Sequence, residues 1–311
     1  MKNKQLLPYF LTFSIVLIMV GTSQLLNNPE IIFPEITALA IGSLLAPKQV
    51  WKTSSLKLVL LIMIYAVIGV LMVKYLHVSL FIKVVIGFTL CQMGLILSKT
   101  TFAPLISACI LPLLLNTDTW IYPLSATMMS FIIIVIQKQL QKKHYIHDYH
   151  YQPVTFDYRH ELILFCKRLF VVGALGMLAL RLDIRLLIAP PLIVAFYELS
   201  GNHQKLRSQA PRLYFLTISM AFISAYLRYF LNIHCHFSAI IPAVIATALL
   251  LFFIYYFQIF FPPVGAITIL PMIIQPHLLL VYPILIAAGF ALLIVFAFLI
   301  SYKNKILTDQ L

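Results

Sequence analysis

The chain has 311 residues, 62% of them hydrophobic and only 10% charged, with a mean hydropathy of +1.00. A soluble domain carries about 25% charged residues, and a folded ball of this length lacks the polar surface to cover so much apolar content. A soluble enzyme, a disulfide-stapled secreted scaffold and a disordered chain are excluded, which leaves an all-α, polytopic transmembrane helical bundle in contact with the lipid bilayer. The formal charge of +13 does not point to nucleic acid, because the basic residues sit between apolar runs, as cytoplasmic loops do.

Met1-Lys2-Asn3-Lys4 leads into an apolar run at 6–26. The run is long and no small-x-small cleavage site follows it, so it reads as an uncleaved first span at 8–26. Runs of about 20 apolar residues place further spans at 31–47, 56–76, 80–98 and 119–137, with a shorter piece at 102–115. Polar residues dominate 138–161, which reads as a basic linker between a first transmembrane repeat, 1–137, and a second, 162–311. The second half has spans at 162–180, 184–200, 211–231, 237–258 and 278–300, with a shorter piece at 262–274.

The basic residues arbitrate whether the short pieces cross. If both cross and the N-terminus is cytoplasmic, only Lys74, Lys83, Arg181, Arg185 and Arg228 of the 22 Lys and Arg lie outside. If neither crosses, the linker moves outside and the residues divide evenly. The positive-inside rule selects the first arrangement, a multi-pass protein of the cell membrane with both termini cytoplasmic.

The segment Phe102-Ala103-Pro104-Leu105-Ile106-Ser107-Ala108-Cys109-Ile110-Leu111-Pro112 returns at a constant offset of 159 as Phe261-Pro262-Pro263-Val264-Gly265-Ala266-Ile267-Thr268-Ile269-Leu270-Pro271. A phenylalanine and two prolines fall in register. Tyr122-Pro123 and Tyr282-Pro283 then open the following spans. The order of elements therefore predicts two parallel repeats of about six segments, each with one short Pro-led segment.

At 1.5 Å per residue these short segments cannot cross about 30 Å of hydrocarbon as straight helices. A leading proline suits a first helical turn, so each reads as a short helix with its N-terminus at membrane depth, where unpaired N–H groups favour an anion. Packing kinks inherited through duplication are the plainer reading. The substrate-binding candidates are Pro104, Ser107, Phe261, Pro262, Pro263, Gly265, Ala266 and Thr268.

Phe261-Pro262-Pro263-Val264-Gly265-Ala266, with the earlier loop Gln209-Ala210-Pro211-Arg212, resembles the HPP family of integral membrane proteins over roughly 186–275. That family is named for a His-Pro-Pro motif followed by small residues; Phe261 stands here where the motif has histidine. The resemblance implies movement of a small inorganic anion such as nitrite.

Intramembrane ionisable residues are functional candidates by default. Glu35, Glu198, Arg212 and Arg228 are the coupling or gating candidates, with snorkelling and anchoring as the plainer alternatives. Arg181, Asp183 and Arg185 read as an ion-pair loop or an anion funnel. His144, His147 and His150 with Asp148 have ligand-like spacing, but the fuller pattern of a metal site is missing. The scattered Cys91, Cys109, Cys166 and Cys235 form no CxxC pair, and neither metal nor other cofactor is expected.

No nucleotide loop, HExxH helix or Ser-His-Asp order appears. The reading is a non-enzymatic secondary transporter or channel-like carrier for a small solute, with oligomeric state left open. The alternative is a membrane enzyme or partner subunit acting on lipid or cell-envelope intermediates through Glu198, His203 and Arg207.

Overall fold

The computed structural model describes residues 2–148, 151, 153–201 and 204–308. Eight long apolar helices carry the fold: α1 (Lys2–Leu25), α3 (Ser55–Tyr75), α4 (Leu80–Leu97), α6 (Ile121–Lys142), α7 (Tyr158–Arg181), α10 (Ala210–Leu227, continued by a π-turn Arg228–His234), α11 (Ile240–Phe257) and α13 (Tyr282–Thr308). Four short ones lie between them: α2 (Glu35–Ala40, continued as a π-turn Ile41–Leu45), α5 (Pro104–Leu115), α8 (Pro190–Ser200) and α12 (Pro262–Ile269, continued as a 3-10 turn Leu270–Met272). The small α9 (Gln204–Ser208) joins α8 to α10.

Where one short Pro-led segment per half was expected, each half contains two. The stretches 31–47 and 184–200 are not continuous spans. Pro34 and Pro190-Pro191 start helices of about half membrane length there, because proline cannot donate to a preceding turn. The 138–161 linker is also shorter than its composition suggests, since α6 runs to Lys142 and α7 begins at Tyr158.

Long and short helices begin differently. Ser54, Ser79 and Asp157 cap α3, α4 and α7 by accepting a backbone N–H near the first turn. The short helices α5, α8 and α12 have proline at their first positions and no side-chain cap. Burial differs as well. Every residue of α2, α8 and α12 is buried, whereas each long helix buries 33–44% of its most apolar window. The remaining long-helix surface carries exposed side chains such as Phe170, Phe215, Phe252 and Ile284, a face suited to lipid tails. The chain is an integral membrane protein.

The short helices pack into a closed core, α2 on α12, α12 on α8, α8 on α5 and α5 on α2. The long helices surround them in a ring, α1–α11–α10–α13–α7–α4–α3–α6 and back to α1. Both circuits are unchanged when each element is exchanged for its counterpart in the other half (α1 for α7, α2 for α8, and so on). α5 and α12 lie across the core from each other, and each packs on α2 and α8.

The recurring proline and tyrosine have a shared physical cause. Pro112 lacks the N–H that would pair with Ala108 C=O, and Pro271 likewise leaves Ile267 C=O unpaired. The Tyr122 hydroxyl donates to Ala108 O at 3.1 Å, and the Tyr282 hydroxyl to Ile267 O at 2.7 Å. All four residues are buried, so each hydroxyl satisfies a carbonyl that water cannot reach. Tyr122→Phe is expected to cost about 1–3 kcal/mol, the penalty for an orphaned buried acceptor. Adding Pro112→Ala restores an N–H in the helix, so the double variant recovers most of the loss in thermal unfolding of the purified protein. Equal unfolding temperatures for the single and double variants would remove this explanation.

Candidate functional site

The two ends of the four-helix core differ. At the face opposite the linker, a cavity of about 510 Å³ opens where all four short helices meet their loops. Its walls come from 29–32 before α2, 114–117 after α5, 183–186 before α8 and 273–278 after α12. Glu30, Asp183 and Arg185 supply its charged groups, and His277 also lines it. Glu30 accepts a hydrogen bond from the Thr119 hydroxyl, and Arg185 Nε pairs with Asp183 Oδ1 at 3.3 Å. The ion-pair loop thus forms the cavity rim, while Arg181 is exposed outside its lining.

Below the cavity the core is closely packed. The α12 segment Pro262–Met272 covers about 16 Å of the path at 1.5 Å per residue. Pro104, Ser107, Phe261, Pro262, Pro263, Gly265, Ala266 and Thr268 are all buried in this layer, and none lines the cavity. Thr268 Oγ1 donates to Val264 O in its own helix at 2.8 Å. Phe261 stacks on Phe290, with centroids 6.1 Å apart. Gly265 lets α12 lie directly on the α2 backbone. These residues are the packing of the barrier.

Ser107 has a different role. Its hydroxyl donates to Glu35 Oε1 across the α5–α2 contact. Glu35 is 1% exposed, and its other oxygen, Oε2, has no partner. The carboxyl sits at the first position of α2, three residues past Ile32 in the cavity wall.

At the linker face the core is closed by Trp51, which is 4% exposed. It lies in the loop after α2 and reaches three of the short helices at once. The ring packs on Gly42 of the α2 π-turn, which also faces Pro262 of α12. It meets Phe102, just before α5, edge to face with centroids 5.4 Å apart. Its Nε1 donates to Glu198 Oε1 of α8 at 2.8 Å. Around this plug lie smaller clefts of about 160 and 230 Å³, lined by residues including Gln49, Gln137 and Tyr151 in one and Pro47, His147 and Gln258 in the other.

Arginines finish the helix ends, where cations suit the exposed carbonyls. Arg228 Nη1 donates to Pro271 O and Ile274 O beneath the cavity. Arg207 Nη1 donates to Leu199 O and Gly201 O at the end of α8, and to Ser301 of α13. Arg212 is exposed at the start of α10. Of the alternative enzymatic trio, Glu198 and Arg207 have these structural engagements, and His203 lies outside the described residues. His150 also lies outside them. Among the described residues, no three His, Cys, Asp or Glu side chains gather as metal ligands.

Two buried, hydrogen-bonded side chains escaped the sequence reading. Arg168, 3% exposed, donates from Nε to Ser200 Oγ at 2.8 Å. It also pairs with Glu161 at 3.8 Å and lies 4.0 Å over the Tyr197 ring. An arginine inside an otherwise apolar run was its only signal. Trp51 was hidden in the basic loop 48–57, where one large aromatic among polar residues was the clue.

The arrangement is that of a helical membrane protein whose short helices form a buried core, with a cavity on one face and smaller clefts beside Trp51 on the other. No protein-family model, curated protein or solved structure matches the chain.

Proposed function

We propose that this protein is a secondary carrier for a small solute, held here with its cavity open at the face opposite the linker and closed at the linker face. The observation that carries the reading is the stacking of cavity, packed barrier and Trp51 plug along the axis of four half-length helices. Half-length helices that meet in the middle of a bundle shorten the distance a solute must cross, and broken backbone at that depth is tolerated where it borders a watery cavity. Movement of one half against the other would close the cavity and release Trp51. Two parallel halves, each with an even number of crossings, and cytoplasmic termini fit this reading through the positive-inside rule.

The resemblance to the HPP family makes a small inorganic anion such as nitrite the first class to test. The cavity lining has two acids, Glu30 and Asp183, against one arginine, Arg185, and is not basic, so zwitterionic and uncharged solutes belong in the same trial. The experiment is flux into proteoliposomes with nitrite, nitrate, formate, a zwitterion and a neutral polyol. It uses Cys166→Ser, Cys235→Ser protein carrying Leu115→Cys in the cavity wall. One class is expected to equilibrate faster than in empty vesicles, and a bulky maleimide on the new thiol to reduce that flux at least about tenfold, the effect of a barrier raised by about 1.4 kcal/mol. If all five solutes move only as in empty vesicles, the carrier reading fails.

A further inference from the structure

We propose that the Glu35 carboxyl is the proton site of this carrier, taking up one proton from the cavity side and releasing it at the linker face in each cycle. This deepens the carrier reading and rests on it. The carboxyl lies within the barrier: its partner Ser107 is seven residues before Leu114, which lines the cavity, or about 10 Å along the helix. A group reached from both faces in turn has to sit at such a depth.

Among the described residues the carboxyl has no positively charged partner. Neither ion pair found among the described residues includes Glu35. Ser107 is the one side-chain donor on the carboxyl, and Oε2 is left without a partner. The titratable groups that interact with it are Tyr122 of α6 and Tyr282 of α13, and Cys109 of α5 lies by Tyr122. Both tyrosine hydroxyls are already committed as donors to Ala108 O and Ile267 O. The packed helix α12 has no titratable residue, and α1 has none beyond Tyr9. An uncompensated carboxylate in such a place costs several kcal/mol, whereas a neutral acid costs far less.

The step balances simply. A proton from cavity water bonds to Oε2 and gives the carboxylic acid. After the barrier reopens at the linker face, the O–H bond breaks, the proton passes to water there and the carboxylate remains. The counterpart helix α8 has Leu192 and Ile193 after its proline pair, so the Glu35 site has no counterpart at the matching place in the second half.

The test uses full-length protein in lipid nanodiscs, with the proton itself as probe and infrared spectroscopy between about pH 5 and pH 9. The carboxylic C=O band of one residue is expected to change height with pH, to be lost in Glu35→Gln and to persist in Glu198→Gln. Ser107→Ala should keep the band and raise its frequency, because the C=O loses its side-chain donor; this variant decides the matter if Glu35→Gln does not fold. A spectrum unchanged in Glu35→Gln, a band of constant height across the pH range, or an unshifted band in Ser107→Ala overturns the proposal. Solute flux without a Glu35 band sinks the proton site alone. A titrating band without flux of any solute sinks the carrier reading instead.

Discussion

Gly265→Leu is expected to leave almost no folded protein, whereas Gly265→Ala folds with a lowered unfolding temperature. A Cβ at Gly265 would lie 2.6 Å from Ile41 Cδ1 and 3.1 Å from both Ala38 N and Thr37 C. The isoleucine methyl is the end of a flexible side chain and can rotate away. The backbone atoms belong to α2, which is buried on every side, and cannot. One added methyl therefore costs about 1–3 kcal/mol as overpacking. Leucine drives three further carbons into the same backbone and separates α2 from α12, one of the contacts that joins the halves. Gly173→Ala is the control, since a Cβ there meets nothing within 4 Å and alanine is the better helix former. The measurement is thermal unfolding followed by the monodisperse fraction on size exclusion. Wild-type behaviour of Gly265→Leu would show that α12 does not depend on this close approach.

That glycine also marks how far the sequence could be read. The eight long helices were legible because each is an apolar run of membrane length, which only a helix can satisfy in lipid. The two shorter pieces were legible because proline and polar residues bound them. The helices α2 and α8 were not, although Pro34 and Pro190-Pro191 stand in the sequence at their starts. The stretches before them, Ile31-Ile32-Phe33 and Leu186-Leu187-Ile188-Ala189, are as apolar as the helices, so hydropathy ran through the break. Those stretches are apolar because they are covered by the long-helix ring: Phe33 packs edge to face on Tyr122, and Leu187 contributes to the core.

Partnership was less legible than segmentation. The prolines 112 and 271 were seen to repeat, and the tyrosines 122 and 282 were seen to repeat, but their connection is a hydrogen bond over 14 residues in one half and 15 in the other. It follows only once each proline's missing N–H is traced to its orphaned carbonyl. Glu35 and Glu198 were singled out as buried acids without any means of telling them apart. Tertiary structure separates them, one held by a serine with an oxygen left over, the other by a tryptophan that closes the core.

Trp51→Ala is expected to open the linker face. The wild-type indole fills the space between Gly42, Phe102 and Glu198, and its removal costs about 3–5 kcal/mol as a truncated core aromatic. It also leaves Glu198 without its donor, which adds about 1–3 kcal/mol. The two parts can be separated. Trp51→Phe keeps most of the packing and removes the N–H, and Trp51→Phe with Glu198→Gln replaces the stranded acid by a neutral amide. The double variant should therefore be more stable than the sum of the single changes, by about 1–3 kcal/mol of coupling. The functional consequence is read at Gly42, where a Cβ would lie 2.5 Å from the Trp51 ring. With the indole gone there is room for a side chain, so Gly42→Cys in the Trp51→Ala protein should react with a membrane-impermeant maleimide from the linker face. In the same protein, solutes should leak through proteoliposomes without the saturation expected of a carrier. Slow labelling and wild-type flux together would mean that the barrier closes without Trp51, and the plug would have to be sought among the short helices themselves.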